Sequence, residues 1–303
     1  MSKETEKVNV AVALGLGGAR IKSGDVGIEV EVEGVGLPFN VPGYRCEHDG
    51  SIADGGIEYV FETPVPLKDV RAKLGKLTTA FKAKGSVVNS SMRAGVHCHV
   101  NVQSMKPVEL FNYITMYLVL EELLLKFCGP TRQGNLFCLR VKDAEYLLFA
   151  LRNSAKTFSF RNLNDDDLRY GSLNVKALSS YGSLEFRAME STNDMSKIVD
   201  WASVLVQLRD NAKVFRNPAD VIAIYSDMCL KDFLVTSLGP WANKFMEYEG
   251  WEGMVKDGMR RTQMLAYATD WGTYAEVMEE SHKPREYDDD DEDWEPDDED
   301  WDE

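Results

Sequence analysis

Apolar and polar positions alternate strictly at several places along the chain, and strict alternation is the period of a β-strand with two unlike faces. In Gly27-Ile28-Glu29-Val30-Glu31-Val32-Glu33-Gly34, Ile28, Val30 and Val32 share one face and Glu29, Glu31 and Glu33 the other. Ile57 to Pro64 reads as a second strand, with Glu58 and Glu62 on one face, ended by Pro64 and Pro66. Gly95 to Val102 reads as a third, setting His97, His99 and Asn101 against Val96, Cys98, Val100 and Val102. Residues 172–178 and 183–188 read as a hairpin turning at 179–182; Glu185 and Arg187 lie on one face of its second strand, Leu184 and Phe186 on the other. Val8 to Leu14 reads as one more apolar strand.

Between these stretches the period changes to that of helices. Leu67 to Lys84 has helical spacing and a basic surface, and Pro107 to Phe127 is a very apolar helix closed by Gly129-Pro130. Asp143 to Asn153 reads as a short helix. Met195 to Phe215 follows the cap-forming run Ser191-Thr192-Asn193-Asp194, with Ile198, Trp201, Leu205, Leu208 and Ala212 on one stripe. From Asn217 to about Glu280 the pattern is helical throughout. A hairpin together with helical connections predicts an α+β fold: an antiparallel-rich mixed sheet, helices packed on one face, and a concave face carrying the acidic and imidazole side chains. Gly15-Leu16-Gly17-Gly18-Ala19-Arg20 is glycine-rich after an apolar run, yet no long helix opens behind it. It therefore reads as a loop over a site rather than as a dinucleotide-binding turn.

Charge changes the picture only at one end. The net charge is −16, but residues 286–303 hold 14 acidic residues and no basic one, which leaves 36 acidic against 34 basic in residues 1–285. The expected organisation is one catalytic domain, 1–285, with its motifs in 25–215 and helical support in 216–285, followed by a disordered acidic tail, 286–303. The sign of the tail excludes direct nucleic-acid binding by it; docking to a basic protein partner and mimicry of nucleic acid both remain open. Five scattered cysteines without a CxxC pair fit reduced thiols, and the polar N-terminus has no signal-peptide core. The most apolar segment, 113–125, is short and interrupted by Glu121 and Glu122. Together these predict a cytoplasmic protein without a membrane partner.

Same-face neighbours on a strand sit about 6.6 Å apart, so each pair of carboxylates in the first strand repels by about 2.5 kcal/mol at an effective dielectric near 20. Either the acidic face is wet and screened, or it holds cations. Two histidines on one strand face are either structural or ligands for metal or phosphate. Carboxylates with one or two histidines suit Mg²⁺ or Mn²⁺, and arginines suit a bidentate grip on phosphate. The set Glu29/Glu31/Glu33, Glu58/Glu62, His97/His99, Asn174 and Glu185/Arg187 thus describes a nucleotide-dependent phosphoryl-transfer site.

Gly-Ile-Glu-Val-Glu-Val-Glu (27–33), Asp49-Gly50-Ser51 followed by Gly56-Ile57-Glu58, Gly95-Val96-His97-Cys98-His99-Val100, Arg169-Tyr170-Gly171-Ser172-Leu173-Asn174 and Gly182-Ser183-Leu184-Glu185-Phe186-Arg187 resemble, in order, the motifs of the phage and bacterial amidoligase family. That family belongs to the carboxylate–amine ligase superfold of glutamine synthetase and glutamate–cysteine ligase. The resemblance implies a cytoplasmic ligase (in the host cytoplasm if phage-encoded) that uses ATP and Mg²⁺ or Mn²⁺ to join a small-molecule or peptide carboxylate to an amine through an acyl phosphate. It implies Glu29, Glu31, Glu58, His97 and Glu185 as metal ligands. It implies His99, Arg169, Asn174 and Arg187 as ATP contacts, Asp49 as a substrate contact, and Arg187 and Glu58 as catalytic residues. Glu33 and Glu62 receive no role. The alternatives are a metal-dependent hydrolase, since His-x-His on a strand also binds zinc, and a phage interaction protein acting through the acidic tail on a basic or nucleic-acid-binding partner.

Overall fold

Ile28, Val30 and Val32 are fully buried, and the strand they define, β1 (Val26–Val35), lies at the centre of the sheet. The computed structural model describes residues 8–48, 50–53, 55–136, 138–227 and 229–282. The remaining strands are β2 (Tyr44–Glu47), β3 (Ile57–Phe61), β4 (Val87–Asn89), β5 (Gly95–Asn101), β6 (Leu173–Asn174) and β7 (Ser183–Glu190). They pair in the order β2-β3-β1-β5-β7-β6, with β4 against the far end of β1, and every strand pairing is antiparallel.

The described α-helices are α1 (Val10–Ala13), α2 (Leu67–Lys84), α3 (Pro107–Cys128), α4 (Glu145–Lys156), α5 (Ala177–Tyr181), α6 (Met195–Ala212), α7 (Pro218–Asp227), α8 (Leu230–Leu238), α9 (Ala242–Met246), α10 (Trp251–Ala266) and α11 (Trp271–Ser281). The class is α+β. Helices α3 and α6 pack on β7 and β5. Phe186 meets the rings of Tyr113 and Tyr117 there, and Tyr113 donates to the Leu205 carbonyl of α6 at 3.0 Å. Helix α3 is buried almost all round and carries α10, α7 and α11 on its other sides, which is why its sequence lacks a clean polar stripe. Among the described residues no helix is long and apolar enough to cross a membrane.

The structure corrects several expectations. Residues 8–14 form no strand: Asn9 caps the one-turn helix α1 by accepting from the Val12 amide, and the Val10 and Ala11 amides reach the Met105 and Gln103 carbonyls. Apolar content alone cannot separate a short buried turn from a strand. The expected hairpin strand at 172–178 is only the two-residue β6; the chain then turns through α5 before β7. Strands β2 and β4 were not anticipated, because neither alternates over enough residues to declare itself. Helix α4 begins and ends later than expected, at Glu145 and Lys156. The acidic tail and Asp49 lie outside the described residues.

One buried carboxylate belongs to this packing. Glu121 of α3 is fully buried, and burial pushes its pKa up to about 7 even though the Ser172 hydroxyl and the Val141 amide donate to it. A carboxyl raised in the folded state favours folding most at low pH, and that contribution is lost as pH rises from the ordinary carboxylate range to about 7. Glu121→Gln should therefore gain stability relative to the parent across that window, by about 3 kcal/mol at pH 8. Urea unfolding of both proteins at pH 5 and pH 8 measures it; a pH-independent difference would remove Glu121 as the titrating group.

Candidate active site

The antiparallel registers carry the polar faces of five strands onto one wall. Glu31 stands opposite Glu58 of β3, and Glu29 opposite His97 of β5. His99 stands opposite Glu185 of β7, which is in turn opposite Asn174 of β6. Because the side-chain period of a strand is two, the apolar residues between them turn to the helices and these turn away. Glu31, His97, Glu185 and Asn174 are only 3%, 2%, 5% and 6% exposed, so a wet, screened acidic face is the wrong description of them.

The imidazoles and one arginine offset the buried carboxylates. His97 Nδ1 is 3.0 Å from Glu29 Oε2 and 3.6 Å from Glu185 Oε1, while its Nε2 is 3.7 Å from Glu31 Oε1. His99 Nε2 is 3.2 Å from Glu29 Oε1, its Nδ1 is 3.2 Å from Ser183 Oγ, and its ring packs edge-on against Tyr181. Arg187 Nη1 donates to Glu185 Oε1 at 2.6 Å, and Asn174 donates to the other Glu185 oxygen at 2.5 Å.

Burial alone would raise the pKa of Glu29, but hydrogen bonds and charge from His97 and His99 outweigh it and hold Glu29 well below the usual carboxylate range. Burial of Glu185 is likewise outweighed, by His99, Arg187 and His97, and its pKa is lowered. Burial works against protonation of His99, yet Glu185 and Glu29 raise its pKa overall.

An ionised Glu29 can only accept, so the 3.0 Å contact calls for the proton on His97 Nδ1. In the neutral ring Nε2 is then a lone pair, buried, without a hydrogen-bond partner, and facing Glu31. Two groups of side chains bring ligand atoms within 4.8 Å of one another: Glu29, His97 and Glu185, and Glu31, Glu58 and His97. His97 belongs to both, one ring nitrogen to each. One neutral imidazole offers one lone pair, so as arranged it serves the Glu31/Glu58 group while its N–H orients Glu29. A carboxylate–imidazole set of this kind fits Mg²⁺ or Mn²⁺, and the orphaned Nε2 is the structural sign that a ligand atom waits there.

A cleft of about 350 Å³ opens beside Glu29 and His99. Arg20 and Lys22 from the glycine-rich loop and Arg45 from β2 contribute positive charge to it, with Phe61, Tyr181 and Ser183 on its walls. Glu62 also lines it, beyond the end of β3. The other expected residues lie elsewhere. Arg169 is exposed and stacked on Tyr170, and the Glu33 carboxylate accepts from the Ala53 amide.

Nothing in the sequence pattern singled out Arg132 as a residue of the site. The structure buries that side chain completely, against Gly95 of β5. The available signal was local: an arginine directly behind Gly129-Pro130, where a long buried helix delivers the chain back to the sheet.

Residues 49–208 match a protein-family model described as "Putative amidoligase enzyme". The chain belongs to this amidoligase family. The matched span holds Glu58, His97, His99, Asn174, Glu185 and Arg187 together with Arg132, whereas Glu29 and Glu31 on β1 precede it. A search of curated proteins returns no match to the chain.

The raised pKa of His99 sets a proton beside Glu29 and Glu185, so Mn²⁺ binding at the amidoligase wall should release protons and tighten as pH rises through and above the usual imidazole range. Isothermal titration in buffers of different ionisation enthalpy reads both effects. Asn174→Ala, which removes a hydrogen bond orienting Glu185, should weaken Mn²⁺ by about 10–100-fold; unchanged affinity would place Glu185 outside the ligand set.

Proposed function

We propose that this chain is an ATP-dependent carboxylate–amine ligase whose site is the wall formed by Glu29, Glu31, Glu58, His97 and Glu185. The observation that carries the reading is the pair of ligand groups sharing His97, lying next to a cleft of nucleotide size that Arg20, Lys22 and Arg45 line together with Asp25, Glu29 and Glu62. The family supports the ligase class. A sheet of antiparallel strands with its ligand groups on one face is also what the glutamine synthetase and glutamate–cysteine ligase superfold would require.

In this reading the cleft takes the nucleotide, with Arg20, Lys22 and His99 against its phosphates and the γ-phosphate turned toward Arg187. Mg²⁺ held by the two ligand groups supplies charge neutralisation of the phosphate oxygens. The chain's own residues do the rest. Arg187, pinned by Glu185, holds the moving phosphoryl group in line between the substrate carboxylate and the departing ADP. A substrate carboxylate oxygen attacks the γ-phosphorus as the bond to ADP breaks, giving an acyl phosphate. The amine then attacks the acyl carbon, phosphate leaves, and the surplus amine proton passes to a wall carboxylate, for which Glu58 is the candidate. The buried wall keeps water from the acyl phosphate. The acidic tail is assigned no part in the chemistry and is proposed as an arm for a basic protein partner.

Purified protein incubated with ATP, Mg²⁺ and pooled carboxylates and amines should release ADP and phosphate in step with amide formation, followed by mass spectrometry. Arg187→Ala should lower kcat by about 10²–10³. Glu29→Gln and Glu185→Gln should lose phosphate release. Phosphate release at the parent rate in either glutamine variant would refute the role given to the wall.

A further inference from the structure

Arg132 is the largest charged side chain buried in the described part of the molecule, with no exposed surface at all. Its place is set by a glycine. Gly95 shares a strand face with His97 and His99, and a Cβ built there would lie 3.0 Å from Cζ and Nη2 of Arg132 and 3.1 Å from Nη1. The guanidinium thus occupies the side-chain space of Gly95 on the ligand face, and the Gly95 amide itself donates to Glu31 Oε2 at 2.7 Å.

The surroundings do not balance this charge. Arg132 makes one hydrogen bond to oxygen, from Nη2 to the carbonyl of Arg187 at 3.0 Å, and the thiol of Cys138 is also in contact. Nε and Nη1 have no hydrogen-bond partner, and among the described residues no carboxylate comes within 4.0 Å of the guanidinium. Nε of the adjacent Arg187 is unpartnered too. A guanidinium removed from water without a counter-charge is costly to the fold, and an arginine kept only for packing is normally paired. Three buried guanidinium nitrogens on two side chains linked through the Arg187 carbonyl thus lack a partner, and three donors suit the three oxygens of a phosphoryl group better than the two of a carboxylate.

We infer that Arg132 and Arg187 together form a phosphoryl-anion site at the end of the wall remote from the cleft. That an anion binds there follows from the unpaired charge; that it is the group transferred from a nucleotide rests on the ligase reading. The register gives the direction. Gly27, His99 and Ser183 mark the cleft end, Gly95 and Glu31 the other, and Arg187 lies between them. An anion leaving the cleft along the wall meets Arg187 and then Arg132.

The test uses inorganic phosphate as the probe and the full chain. Calorimetric titration of the wild-type protein should show phosphate binding, with Arg132→Gln weaker by about 10–100-fold and acetate a much poorer competitor than phosphate. Arg132→Gln should also melt about 2 °C or more higher than wild type in phosphate-free buffer, because an unpaired buried charge has been removed. An arginine that serves only as support would give the opposite sign. Phosphate binding unchanged in Arg132→Gln, its absence in wild type, equal competition by acetate, or a lower melting temperature would each overturn the inference. Should Arg132→Gln not fold, Arg132→Lys decides: it keeps the charge, loses the fork, and should bind phosphate about tenfold less tightly, wild-type affinity being the contrary result. Phosphate binding that depends on Arg132 in a protein forming no amide would leave the anion site standing and remove only the nucleotide as its source.

Discussion

The rest of this structure depends on holding like charges together on one buried sheet face. Glu29, Glu31, Glu58 and Glu185 each bring a carboxylate oxygen within 4.8 Å of a nitrogen of a single imidazole, that of His97. Two carboxylates about 5 Å apart repel by roughly 3 kcal/mol at an effective dielectric near 20. The opposite face provides the counterweight. Ile28, Val30, Val32, Val96, Cys98 and Val100 are all fully buried under the helices, and each large apolar side chain contributes about 1.5–3 kcal/mol. The same alternation that concentrates charge on one side therefore concentrates burial on the other, and the second outweighs the first. The guanidinium of Arg187, paired with Glu185, and the two imidazoles beside Glu29 reduce what is left.

Much of this was legible in the sequence, because it follows from a period of two. Once 27–34, 57–64, 95–102 and 183–188 are read as strands, the facing of Glu29, Glu31, Glu58, His97, His99 and Glu185 is determined before any pairing is known. Helices α2 and α3 were equally plain, one from its spacing and basic surface, the other from its apolar length and the closing Gly129-Pro130. What was not legible depends on contacts between distant segments. Strand β6 is two residues long and exists because β7 offers it a partner, and β4 exists because β1 continues past β3. Arg169 stands exposed on a surface turn against Tyr170, within electrostatic reach of Arg187, while Asn174, five residues on, is buried on the wall. Arg132 was missed for the converse reason: the Gly-Pro-Thr-Arg run marks where a buried helix returns the chain to the sheet, but not that the arginine will lie over a glycine of another strand.

Arg187 shows how such distant contacts become geometry. Between the pairs Val96–Met189 and Cys98–Phe186, β5 advances two residues and β7 three, so the extra residue of a bulge falls opposite His97. A bulge interrupts the ladder and re-aims the side chain beside it. Both backbone groups of Arg187 nonetheless have partners. Its amide donates to the Ser172 carbonyl at 2.9 Å, and its carbonyl accepts from the Arg132 guanidinium. Ser172 is in turn held through its hydroxyl by Glu121 and Tyr117 of α3. The one irregular point in the central sheet is thus tied both to the core helix and to the second arginine.

That tie bears on what the wall can do. A phosphoryl-transfer site works mainly by placing charge where charge develops, and placement helps only if the groups need not reorganise during the reaction. Arg187 meets that requirement from both directions: Glu185 fixes its tip, while Ser172 and Arg132 fix its backbone. The rigidity has a source outside the wall, in a buried carboxylate on α3 and a buried guanidinium against Gly95, neither of which shortens the cleft or crowds the ligand groups. A site on flexible loops would have to spend binding energy on that order at each turnover. Here it is supplied by folding, at the cost of keeping two unpartnered nitrogens of the Arg132 guanidinium in the interior.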